Sequence, residues 1–226
     1  DLMSGNLLSV SLDAYETLCI EFTLDRSGVR INGRSLNDTL SGSGAGDSIT
    51  GGSGNDRIDG SAGADRIRGG SGVDRLFGGV GGDVLDGEDG NDVVSGGLGA
   101  DILRGGRGND RIDGGAGADR IRGGLGVDRL FGGVGADVLE GEDGNDVVSG
   151  GIGADILRGG RGIDYLRGDA GNDRLIGNAG GDYLTGGAGA DTFIFGSITD
   201  SRPGAVRDTI TDFAPGIDRI QLSGID

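Results

Sequence analysis

Residues 51–68 read GGSGNDRID and then GSAGADRIR, two nine-residue phrases on the pattern Gly-Gly-x-Gly-x-Asp-x-apolar-x, with Ser61 for the second Gly of the latter. Followed outward from Gly51, the phrase runs without insertion or deletion from Gly33 to Ile194, which makes eighteen nonads in 162 residues. Position 1 is Gly and position 6 is Asp in all eighteen, and position 8 is always large and apolar, from Leu40 and Ile49 to Phe193. Position 4 is Gly in sixteen, Leu36 and Ala45 being the exceptions. Fixed columns of this kind mark a repeat architecture whose units are stable only when neighbours stack on them. A longer period overlies the short one. Residues 51–104 and 105–158 are two blocks of six nonads that differ at six positions, among them Ser53/Arg107 and Asp86/Glu140. We read this as a tandem duplication in an array that lengthens without breaking its fold, as solenoids do.

Positions 7–9 carry one apolar side chain between two outward ones, which predicts a very short strand with position 8 facing in. Positions 1–6 hold the glycines, where positive φ and close backbone approach cost little. Such a turn exposes carbonyl oxygens, and one Asp per turn beside them makes an anionic, all-oxygen nest. Oxygen donors without Cys or His select Ca²⁺ over zinc or copper. The competing reading is that the Asp merely forms Asx-turns in a glycine-rich loop. That reading explains a mixture of Asp and Asn, not Asp in every unit. Carboxylates stacked about 4.8 Å apart also repel unless a cation lies between them. The expected metal ligands are therefore Asp38, Asp47, Asp56, Asp65, Asp74, Asp83, Asp92, Asp101, Asp110, Asp119, Asp128, Asp137, Asp146, Asp155, Asp164, Asp173, Asp182 and Asp191.

Carried by these columns, residues 33–194 resemble the calcium-binding nonapeptide repeats of the repeats-in-toxin (RTX) family. The resemblance implies an all-β fold, a right-handed parallel β-roll (β-solenoid) with two nonads per coil and about nine coils, capped at both ends. It implies ions held between each nonad and the one two further on, at most about 16 of them. For one pair, the carbonyls of Gly52 and Gly54 with Asp56 would meet the carbonyls of Gly69 and Ser71 with Asp74. The same carry-over adds the carbonyls of Gly70, Gly72, Gly79, Gly81, Gly97, Gly99, Gly106, Gly108, Gly115, Gly117, Gly124, Gly126, Gly133, Gly135, Gly151, Gly153, Gly160 and Gly162. Leu36 and Ala45 depart from the pattern, which sets the sites of Asp38 and Asp47 apart from the rest.

Composition narrows the function. There are 55 Gly but only 2 Pro and no Gly-X-Y period, so the chain is not collagenous. No apolar run approaches the roughly 18 residues of a membrane helix. A net charge of −17 argues against nucleic acid. With no His and one Cys, Cys19, zinc sites, disulfides and His-dependent catalysis are excluded. About nine Ca²⁺ would neutralise the chain. Without ions the Asp columns repel, and one apolar residue per nonad buries too little to offset backbone ordering. The expectation is a chain disordered at cytosolic calcium that folds outside the cell; the RTX resemblance implies type I secretion from a bacterium. The chain opens at Asp1 without Met and shows no signal peptide, which we read as a fragment of a larger protein.

Residues 1–32 read as an N-terminal β segment or cap, with Leu18, Ile20, Phe22 and Leu24 alternating as in a half-buried strand and a turn at Asp25–Gly28. Residues 195–226 read as a closing cap, gathering Phe195 and Phe213 beside Phe193. Their stretch DTITDFAPGIDRIQLSGID is similar to the C-terminal part of serralysin-type proteases and of mannuronan-epimerase repeat modules. All twenty basic residues are Arg. One outer face collects Arg66, Arg68, Arg104, Arg120, Arg122, Arg158 and Arg174 against Asp86 and Glu140; the other holds Arg57, Arg75, Arg111, Arg129 and Arg167 against Asp59 and Asp113. An ion-pair ladder is the favoured reading, and a platform for an acidic polysaccharide the alternative. Apolar residues at position 7 (Val84, Val93, Ile102, Val138, Val147 and Ile156), near Phe77 and Phe131, suggest a contact surface for an adjacent domain. Arg167-Gly168-Asp169 spells an integrin-type tripeptide across a nonad boundary and carries little weight. The sequence thus points to a non-catalytic calcium-binding module. The alternatives are a polysaccharide-binding module of a secreted enzyme and the tail of a serralysin-like metalloprotease.

Overall fold

The computed structural model describes residues 28–196 and 207–223. Among them are twenty-one strands and no helix, numbered β1 (Arg30–Asn32) to β21 (Arg219–Leu222) in chain order. Odd-numbered strands form an eleven-stranded sheet and even-numbered strands a ten-stranded one, all paired in parallel. The register advances by eighteen residues per neighbour, as in Ile49↔Ile67 and Ile121↔Leu139. Two nonads therefore make one coil, and the chain is an all-β parallel solenoid of about nine turns.

The strands are longer than the sequence pattern suggests. Most span six residues, as in β5 (Arg66–Ser71), which joins positions 7–9 of one nonad to positions 1–3 of the next. Positive φ at position 2 is the reason: it bends the strand without interrupting the ladder, so Gly70 at φ 114° still pairs with Glu88 at φ 73°. Each strand turns two residues inward, the apolar one at position 8 and the glycine at position 1. The position-8 side chains from both sheets meet in one continuous core from Ile31 to Phe193, none more than 5% exposed. A glycine at position 1 leaves the space that the Asp of its own nonad fills.

Both ends carry the pattern beyond the eighteen nonads. Arg30–Asn32 pairs with Ser48–Thr50 and buries Ile31, so the coil stack begins before Gly33. At the other end β20 (Thr209–Ile210) joins the even sheet and β21 the odd one. Phe193 is fully buried, Phe195 packs against the core, and the Phe213 ring lies 6.2 Å from that of Phe193 while staying 37% exposed. The alternating segment at Leu18–Leu24, the turn before Gly28, and Cys19 lie outside the described residues.

The outer faces divide as expected, and the odd sheet carries an ion-pair ladder. Arg122 and Arg158 both reach Glu140, at 3.1 and 2.9 Å, and Arg104 lies 3.9 Å from Asp86. The proposed apolar contact surface does not form as one patch. Val84, Ile102, Val138 and Ile156 lie on the odd sheet, whereas Val93 and Val147 lie on the even one with the two phenylalanines. Those rings are capped instead, Arg57 lying 4.5 Å above Phe77 and Arg111 4.4 Å above Phe131. Arg167-Gly168-Asp169 is held within a strand, with Asp169 engaged by Arg167 and by the Ser149 hydroxyl.

Candidate metal centre

Each Asp at position 6 ends its turn and points under the glycine that opened the nonad. From Asp47 to Asp191 these side chains are at most 3% exposed. Their Oδ1 atoms do not close local Asx-turns. Each accepts the backbone N–H of the residue one coil earlier: Asp56 N–H donates to Asp74 at 2.7 Å, Asp101 N–H to Asp119 and Asp128 N–H to Asp146 at 2.8 Å. Two ladders result, one on each side of the core. The first climbs from Asp38 through Asp56, Asp74, Asp92, Asp110, Asp128, Asp146 and Asp164 to Asp182. The second climbs from Asp47 through Asp65, Asp83, Asp101, Asp119, Asp137 and Asp155 to Asp173 and Asp191.

The second oxygen separates the interior coils from the ends. From Asp56 to Asp173, and again at Asp191, Oδ2 is buried with no hydrogen-bond partner. Buried acceptors are rarely left so, and each costs roughly 1–3 kcal/mol. In the first coil Oδ2 is satisfied by the N–H four residues earlier, Arg34 to Asp38 at 3.0 Å and Ser43 to Asp47 at 2.5 Å. Asp218 is served the same way by Ala214, at 2.8 Å. Both nonads that lack Gly at position 4 are thus ones whose carboxylates the chain satisfies by itself.

Beside each interior Oδ2 lies a cradle of oxygen. A Cβ added at Gly114 would sit 2.5 Å from both Asp119 Oδ2 and the Gly132 carbonyl; at Gly60 the corresponding distances are 2.5 Å to Asp65 and 2.7 Å to Gly78. The same geometry recurs at Gly78 and Gly150. Gly33 and Gly42 of the first coil are bordered in the same way, so it is the unpartnered Oδ2 that sets the interior apart, and an all-oxygen surrounding of this kind suits a hard cation. No three acidic side chains converge anywhere among the described residues, so any ion here would draw on backbone carbonyls for the rest of its shell.

All the position-2 and position-4 glycines singled out from the sequence take positive φ, from 97° at Gly115 to 152° at Gly153. Their missing side chains face the same position one coil earlier: a Cβ on Gly72 would strike the Gly54 carbonyl. Some turn carbonyls are engaged more fully than the sequence suggests. Ser71 accepts the Gly54 N–H at 2.8 Å, and Ser61, at position 2, accepts the Val80 N–H at 2.9 Å. This follows from strands that run on through position 3.

Burial raises the carboxyl pKa values of the columns. Asp92, Asp128 and Asp164 are pushed up to about 7, with the neighbouring carboxylates adding to the rise and the N–H of the preceding coil opposing it. Asp65, Asp101, Asp110, Asp137, Asp155 and Asp173 are raised to about 6 for the same primary reason. Positive charge beside Oδ2 is what these groups lack.

Two residues outside the eighteen nonads extend the ladders. Asp208 accepts the Asp182 N–H at 2.9 Å and Asp218 the Asp191 N–H at 3.0 Å. Their Asp-x-apolar signature, Asp208-Thr209-Ile210 and Asp218-Arg219-Ile220, was present in the sequence. What the period could not supply was the register, because the spacing changes from 18 to 26 and 27 residues. Asp212 adds an anchor with no counterpart in the repeat, accepting Gly186 and Gly187 N–H groups at 2.9 and 2.8 Å.

Comparison with known families bears on the same residues. No curated protein matches the chain as a relative. The family model for the RTX calcium-binding nonapeptide repeat matches at residues 32–67, 68–103, 95–130, 122–157, 131–166 and 158–193. These windows together cover residues 32–193, well over half the chain, and coincide with the coils whose carboxylates stack. The fold is a structural repeat, generally non-enzymatic, and its repeats imply calcium as the ligand. The chain belongs to the RTX calcium-binding nonapeptide repeat family, as a β-roll built of those repeats.

Proposed function

We propose that this chain is the calcium-gated folding module of a larger bacterial protein exported by type I secretion. The observation that carries the reading is the unpartnered, buried Oδ2 repeated at successive coils from Asp56 to Asp173. An ion beside each would supply the counter-charge, with the Asp pairs and position-1 to position-4 carbonyls as its ligands, at most about 16 ions in all. At cytosolic calcium those oxygens oppose coil stacking; at extracellular calcium, binding stabilises only the folded form. Far-UV circular dichroism in EDTA, followed by titration with Ca²⁺ to about 10 mM and Mg²⁺ as control, tests it. A steep coil-to-β transition with Ca²⁺ alone is expected. A β-rich spectrum in EDTA would overturn the gating.

A second reading rests on the odd sheet's outer face. A shallow groove of about 430 Å³ there is lined by Arg30, Arg66, Arg68 and Arg104, with Asp86 the one acid among its lining residues. Such a surface favours an acidic polysaccharide, whose carboxylates Arg engages bidentately. Retention on an alginate matrix, lost in Arg66→Ala/Arg68→Ala, supports this reading; no retention overturns it.

A further inference from the structure

The two turn edges of the roll differ in a way that calcium binding does not require. Position 3 of alternate nonads falls on opposite edges. On the edge of the odd sheet it is charged at four of the five middle coils, where Asp89 pairs with Arg107 and Asp143 with Arg161, both at 3.3 Å, and Leu125 stands alone between them. On the edge of the even sheet it is apolar throughout: Ala62, Val80, Leu98, Ala116, Val134 and Ile152 stand in register on successive strands. Val80, Leu98, Val134 and Ile152 are 53–61% exposed. The turns around the last five residues, 79–82, 97–100, 115–118, 133–136 and 151–154, contain only Gly, Ala, Val, Leu and Ile. A chain of net charge −17 thus keeps an uncharged strip along six coils, about 24 Å at 4.8 Å per strand.

We infer that this strip is a self-association surface, taken by the same strip of a second copy in a two-fold arrangement. A charged partner gains nothing from a strip without charge. A second copy offers the same uncharged side chains at the same spacing, so an antiparallel pair matches along its whole length. Elsewhere the odd face and the odd edge carry Arg, Asp and Glu side chains that already pair with one another on the same copy. The area is sufficient for a weak pair. Four large side chains more than half exposed, with the Gly and Ala turns between them, present roughly 500 Å² per copy, or ~1,000 Å² per pair, the lower bound for specific interfaces. Patches of several hundred Å² are also larger than scattered surface residues create.

Sedimentation equilibrium of the full chain between about 1 and 100 µM tests the pairing, in calcium if folding needs it and in EDTA if it does not. The outcome therefore stands apart from that of the calcium reading. The mass should rise from 22.5 kDa toward twice that value. L98R/I152R should associate at least tenfold more weakly with an unchanged circular dichroism spectrum. Arg107 and Arg161 already occupy position 3 on the other edge, so the coil accommodates Arg there. L125R, on that other edge and at a residue 50% exposed, should behave as wild type. The inference is overturned by a wild-type monomer at every concentration, or by a dimer that survives both arginines. An equal loss in L125R overturns it too. Binding of monomers to phosphatidylcholine vesicles, lost in L98R/I152R, would assign the strip to a lipid surface instead.

Discussion

Replacing Asp128 by Asn separates the two tasks assigned to its carboxylate. The side chain is fully buried at mid-array; Oδ1 accepts the Asp110 N–H at 2.8 Å, and Oδ2 has no partner. An Asn keeps the first acceptor and removes the charge. Its amide nitrogen would lie in the Gly123 cradle, on which the Gly141 carbonyl also borders. Without ions the change should be neutral or favourable. Burial raises Asp128 from 3.8 to about 7, so ionising it at pH 8 costs the folded state at most ~4 kcal/mol, which the amide avoids. With calcium the sign reverses, because a buried cation loses one of its counter-charges, a loss of about 3 kcal/mol. The calcium midpoint is a poor readout: divided among some sixteen ions, that energy moves it less than about 1.5-fold. Urea unfolding at about 10 mM Ca²⁺ reads it directly, and with a slope near 3 kcal/mol/M the midpoint should fall by roughly 1 M. Asp47→Asn is the control, since Ser43 already serves both of its oxygens through its N–H and hydroxyl. Equal destabilisation of Asp128→Asn in EDTA and in calcium would refute the reasoning and leave Asp128 a purely hydrogen-bonding residue.

Three other outcomes follow from the same geometry. The folded-state pKa values of about 6 to 7 exceed the ordinary 3.8, so the stability these groups lend the ion-free fold is present below about pH 4 and lost as pH rises through 6 to 7; β signal in EDTA should therefore grow as pH falls from 8 to 5, and a flat profile would contradict the raised values. Gly99→Ala should lower stability by more than about 3 kcal/mol in a thermal melt, because at φ +133° the new Cβ would lie 2.5 Å from the Gly81 carbonyl carbon, whereas Ala45→Gly should change little. Leu103→Ala, at a position fully buried in the core, should cost about 2–5 kcal/mol by urea titration, less if the coils close over the cavity.

The nonad period carried most of the fold in plain sight. Position 8 alternates with outward neighbours, so burial of Ile58, Leu76 and Val94 follows from side-chain direction alone. An Asp in every unit among glycines likewise announced the chemistry of the columns, since no other repeated donor competes with it. What the period could not convey is which bonds the carboxylates make. Whether Asp74 Oδ1 turns to its own loop or to the Asp56 N–H is decided by the eighteen-residue register, which exists only once coils stack. Strand length belonged to the same class: positive φ at Gly70 or Glu88 continues a ladder only if a neighbour is there to pair with. Likewise Arg57 covers Phe77 and leaves no shared patch with Val84, because alternate nonads part to opposite sheets. Local side-chain direction is encoded residue by residue, and the sequence by itself determined the core, the acid columns and the repeat. Partners eighteen or more residues apart are chosen by packing, and only the tertiary structure decided which oxygens are satisfied, where the ladders end, and which edge is left without charge.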